Sequence, residues 1–149
     1  MSHQLRALPV ASPAAGAGFT KTLSTEQRGK LRALAFTFTT SAVVANRVVM
    51  VQLVDPSANV AFQADAGAVQ AAGVAVAYQV CDAYGTPFAS AGASGIGWPD
   101  VWLPPGWAVK VSAALEDVGD QFSGIVALAE FVWPEWERDN LLAAFAQAG

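Results

Sequence analysis

Residues 31–40, Leu31-Arg32-Ala33-Leu34-Ala35-Phe36-Thr37-Phe38-Thr39-Thr40, read LRALAFTFTT. Leu34, Phe36 and Phe38 alternate with Ala35, Thr37 and Thr39. A period of two places the large side chains on one face of an extended strand, and Phe and Thr suit its pleated backbone.

The same signal recurs outward from this segment. Arg47 to Val54 (RVVMVQLV) is apolar on both faces, as in a strand inside a sandwich or beneath a partner. Asp55-Pro56-Ser57 turns the chain, and Asn59 to Ala64 forms a short strand. Val74, Val76, Tyr78 and Val80 alternate with Ala75, Ala77 and Gln79. Residues 88–100 read as a long loop, and Val101 to Leu103 as a short strand before Pro104-Pro105-Gly106. Val109, Val111, Ala113 and Leu115 alternate again, an acidic turn comes next, and Phe122 to Val132 forms the last strand.

About seven or eight short strands with no βαβ alternation predict an all-β fold, an antiparallel β-sandwich or jelly roll. The sandwich domain is expected over residues 31–133. Residues 1–30, rich in Ala, Pro, Gly and Ser, predict an irregular N-terminal arm. Within it, Ser24-Thr25-Glu26-Gln27 has the form of a capping box that opens one helical turn, with Gly29 ending it. Residues 134–149 form a C-terminal tail. In it Asp139 caps a short amphipathic helix whose apolar face includes Leu141, Leu142 and Phe145.

Composition narrows the function classes. Of the 149 residues, 54% are hydrophobic and 13% charged, against about 25% charged in ordinary soluble domains. A surface so poor in charge predicts an oligomer or a subunit of a larger assembly. A net charge of −4 without a basic stripe argues against nucleic acid as a partner. No apolar run approaches the ~18 residues of a membrane span, so no membrane partner is expected. The first residues imitate a signal peptide, but Pro9, Ser12 and Pro13 interrupt the apolar stretch.

No constellation of catalytic residues stands out. His3 is the one histidine, which excludes a multi-histidine metal site, and it reads as incidental. Cys81 is the one cysteine, which excludes an intrachain disulfide, and it reads as a structural thiol. Glu116, Asp117 and Asp120 fit no calcium loop and read as a solvated hairpin turn, with Asp120 accepting backbone N–H groups. Glu130 lies in an apolar strand and is expected to pair with Arg47 in a structural or interface contact. No metal, cofactor or enzymatic activity is implied. The five tryptophans are Trp98, Trp102, Trp107, Trp133 and Trp136. They could seal the ends of the core, form a protein interface, or stack sugars. The candidate interface residues are these five with Arg47, Leu141 and Phe145.

The order of several segments resembles small virion structural proteins of tailed bacteriophages. These segments are TTSAVVANR (39–47) before an apolar strand ending at Val54-Asp55, then Leu103-Pro104-Pro105-Gly106 leading into a strand, then Gly119-Asp120-Gln121-Phe122-Ser123 before a Val-, Leu- and Ala-rich strand. The resemblance covers residues 31–133. Glu130, Trp133, Glu135 and Trp136 approximate the family's acidic, tryptophan-containing ending, and the helical tail beyond them departs from it.

The resemblance implies a sandwich or jelly-roll subunit made in a bacterial cytoplasm. It implies a capsid decoration (cement) role at the virion surface, with the major capsid protein as partner. Symmetry suggests a homodimer or homotrimer at a capsid axis. A neck, tail or fibre-associated subunit of the same class is the alternative within this resemblance. A secreted carbohydrate-binding module is the alternative outside it.

Overall fold

The computed structural model describes residues 3–82 and 94–132. The expected C-terminal helix and tail, with Trp133, Trp136, Leu141 and Phe145, lie outside the described residues. Among the described residues nine strands form two facing sheets, an all-β sandwich. They are β1 (His3–Leu8), β2 (Phe19–Thr22), β3 (Arg28–Thr39), β4 (Val48–Val54), β5 (Val60–Asp65), β6 (Ala75–Asp82), β7 (Ser94–Trp98), β8 (Ala108–Ala114) and β9 (Gln121–Val132). One sheet has the order β1-β9-β3-β6-β7 and the other β2-β8-β4-β5.

The segment LRALAFTFTT lies in β3, the central strand of the larger sheet. Phe36 and Phe38 point inward and are buried with Leu34. Leu31 is buried too, although it stands an odd three positions before Leu34. A register shift against β9 between Leu31 and Ala33 explains this, because an extra residue in one strand reverses the facing of the residues beyond it. Phe122 of β9 stacks on Phe38 at 4.4 Å and meets Phe19 and Phe36 edge-on at 5.6 Å each. Val49, Val51 and Leu53 of β4, with Val109 and Val111 of β8, complete the core from the other sheet.

Three sequence expectations need correction. The first concerns the irregular arm expected over residues 1–30, of which His3–Leu8 and Phe19–Thr22 are strands of the sandwich. β1 pairs with β9, β2 pairs with β8, and Phe19 and Leu23 are buried in the core. β1 escapes a periodicity search because five of its six residues are exposed, and β2 is only four residues long. The second concerns the pairing, which is not wholly antiparallel. β7 falls within the stretch expected to be a loop and lies parallel to β6, Tyr78 opposite Ser94 through Asp82 opposite Trp98. The third is the capping box, whose serine bond forms without a helix while the Gln27 side chain accepts from Arg6. Ser24 Oγ accepts the Gln27 N–H at 3.0 Å, and β3 begins at the next residue.

Candidate functional site

The connections β1–β2, β3–β4, β5–β6 and β8–β9 gather at one end of the sandwich. Their meeting point is Arg47, which has 0% exposure although it opens the region expected to face a partner. Its partner is Asp120, not Glu130 as the sequence suggests. Nε donates to Asp120 Oδ2 at 3.0 Å and Nη2 donates to Oδ1 at 3.1 Å. Nη1 donates to the Val43 and Ala45 carbonyls, and Nη2 also donates to Ser41 Oγ. Every guanidinium N–H therefore has an acceptor.

Asp120 is equally satisfied. It accepts the Ser41 N–H on Oδ1 and the Asp117 N–H on Oδ2, each at 2.8 Å. Burial pushes its carboxyl up, but the N–H groups of Asp117 and Ser41 and the Arg47 guanidinium outweigh burial and hold it below the usual range. The expectation that Asp120 accepts backbone N–H groups is met, but in a buried ion pair and not in a solvated turn. The bond from Ser41 Oγ to Asp117 Oδ2 at 2.8 Å, with a further N–H from Gly119, lowers Asp117. Burial raises Glu116, whose Oε1 has no hydrogen-bond partner.

The remaining loops are tied to this latch. Gly16 N–H donates to the Asp120 carbonyl at 2.7 Å. Gly16 has φ +78°, and a Cβ there would lie 2.8 Å from Val118 Cα, so no side chain fits. Gln70 exchanges backbone hydrogen bonds with Arg47. Its side chain donates to the Phe38 carbonyl at 2.7 Å and accepts the Tyr78 hydroxyl at 2.8 Å. Thr40 Oγ1 donates to the Ala71 carbonyl. Four loops thus form one braced surface.

That surface is apolar at its tips. Val44 is 93% exposed, Val118 83% and Leu115 70%, with Val43 and Val69 also exposed. Leu115 adopts φ +58°, uncommon for a residue with a side chain, which holds it out from the end of β8. A buried, fully hydrogen-bonded ion pair beneath exposed apolar tips is suited to presenting a fixed shape to another protein. Sequence reasoning missed Val43, Val44, Leu115 and Val118. Their signal was apolar side chains inside a connection, and just before and within an acidic turn.

The tryptophans occupy other places. Trp98 is buried and meets Phe62 edge-on at 5.5 Å, closing β7 of one sheet against β5 of the other. Trp107 is half-buried against the core beside Gly106. Trp102 is half-buried between His3, at 5.3 Å edge-on, and the Lys30 ammonium, 4.7 Å from its ring centroid. Lys30 also pairs with Asp100 at 2.6 Å. His3 is not isolated: it pairs with Glu130 across β1 and β9, and Arg32 approaches the same carboxylate. Cys81 is half-buried and unbridged.

No family model matches the chain, and no curated protein matches it. A solved structure of the infectious bursal disease virus Gx strain is similar at 11% identity over 94% of this chain, with a TM-score of 0.30. The chain spans 44% of that chain's length, and a likeness of this degree carries no conclusion about fold or function.

Proposed function

We propose that the chain is a non-enzymatic structural subunit of a bacteriophage virion, a capsid decoration protein that bridges and stabilises major capsid proteins. The observation that carries this reading is the braced loop end, where Val43, Val44, Leu115 and Val118 stand exposed above the buried Arg47–Asp120 pair. A subunit that staples others needs rigid apolar contact points, because every loop that orders on binding subtracts from the affinity.

The wiring supports the finer assignment of a jelly roll. The antiparallel pairs β1:β9, β2:β8, β3:β6 and β4:β5 describe one long hairpin. Rolling that hairpin brings β9 beside β3 and β8 beside β4.

The test is quantitative mass spectrometry of purified particles carrying the protein. Copies in fixed proportion to the major capsid protein support decoration. A few copies per particle would move the subunit to the neck or tail, and absence from particles would end the virion reading. Val44→Asp with Leu115→Asp is expected to leave the fold intact and strip the protein from capsids.

A further inference from the structure

β1 is an edge strand with little of the usual protection, since its one fixed charge, Arg6, is turned onto Gln27 and the Phe131 ring. Its register with β9 is unbroken from His3 opposite Val132 to Leu8 opposite Ala127. Among the described residues no strand pairs with its other side. Edge strands are ordinarily blunted by proline, lysine, bulges or shortness. β2 has only four residues and carries Lys21, and Trp98 of β7 is packed on Phe62 of β5. β1 has six residues without proline, lysine or bulge, and carries Leu5 at 58% exposure.

We propose that β1 pairs antiparallel with β1 of a second copy about a two-fold axis normal to the sheet, with Leu5 opposite Leu5. Face and charge set the register. A two-fold of this kind keeps outer face with outer face, so His3, Leu5 and Ala7 must oppose members of the same set. Centring on Leu5 sets His3 opposite Ala7 and Gln4 opposite Arg6, and covers both exposed leucines. Gln4 and Arg6 already suit one another, since Arg6 Nη2 donates to Gln4 Oε1 at 2.7 Å within one chain. Moving the axis one position toward the C-terminus sets Arg6 against Arg6, a like-charge pair that destabilises a sheet. Moving it one position toward the N-terminus shortens the ladder and leaves Leu5 opposite His3. The result is a continuous sheet across an isologous dimer. It uses a different surface from the loop end, so it stands or falls separately from the virion reading.

Sedimentation velocity of the full chain over a concentration series tests this. The unaltered protein is expected to dimerise, and Leu5→Lys to weaken self-association roughly a hundredfold while leaving the thermal melt of the monomer unchanged. Val44→Asp is expected to leave the dimer intact. In a Cys81→Ser background, Leu5→Cys should form a covalent dimer under mild oxidation, and Val126→Cys should not. A monomer at the highest concentration, a dimer unaffected by Leu5→Lys, or loss of the dimer in Val44→Asp would each overturn the proposal.

Discussion

Arg47 and Asp120 show how much one residue pair can carry. Breaking a buried ion pair from one side generally costs about 3–5 kcal/mol, whereas replacing both partners with apolar residues is often neutral. Here the second half of that rule should fail. The pair also satisfies the carbonyls of Val43 and Ala45 and the N–H groups of Ser41 and Asp117. Arg47→Met combined with Asp120→Leu should therefore remain well below the parent in a urea melt, because each orphaned group costs about 1–3 kcal/mol. Recovery of parental stability by the double variant would show that those backbone groups find water.

The same end of the molecule sets the acid response. Asp120 and Asp117 are held below the usual carboxylate range when folded. The stability they supply is present above their unfolded values and lost as pH falls through the folded ones, so unfolding should steepen below about pH 4. Glu116 acts with the opposite sign. Burial raises it, so the fold favours its protonated form, and it costs stability as pH rises through its folded value. Glu116→Gln should raise Tm at pH 7, and the gain should vanish below about pH 4. A gain independent of pH would mean that charge is not the cause.

At the scale of elements, β2 and the Pro-Pro-Gly corner decide whether the first thirty residues belong to the fold. Phe19 contacts Phe36 and Phe122, and Leu23 N–H donates to the Trp107 carbonyl at 3.2 Å. Phe19→Ala should cost about 3–5 kcal/mol, as for a core aromatic, and not the near-zero change expected of an irregular arm. Gly106 has φ +88°, donates to the Ser24 carbonyl at 2.8 Å, and would place a Cβ 3.0 Å from Pro56 Cγ. Gly106→Val should cost about 1–3 kcal/mol from backbone strain, with some addition from the contact with Pro56. Trp107→Ala is expected to leave assembly unchanged, since its ring packs inward against the core. Denaturant melts of the two corner variants, read beside particle binding, separate these effects.

At the scale of the molecule, the first and last described strands lie side by side, His3 opposite Val132. Nearly every sheet contact joins distant parts of the chain, so loop-closure entropy must be overcome before pairing is rewarded. Refolding should take milliseconds to seconds or longer, slower than a helical domain of this size, as stopped-flow tryptophan fluorescence would show. Trp98, buried between β7 and β5, should report the late closure of that side.

The sequence by itself determined the strands whose two faces differ. In β3, β6 and β8 one face meets the core, so period two is written in the residues as Phe36 and Phe38, Tyr78 and Val80, Val109 and Val111. It also marked the Pro-Pro-Gly corner, because Pro and Gly act through local dihedral limits that need no partner. Tertiary structure alone decided β1, β2 and β7. Their residues are held by ladder hydrogen bonds to neighbours, and backbone pairing leaves no trace in side-chain periodicity when a strand is short or solvated on both faces. It also decided that Arg47 meets Asp120 across seventy-three residues and not Glu130. A charge in a sequence declares that it needs a partner when buried, but only the packed chain brings a particular partner within reach.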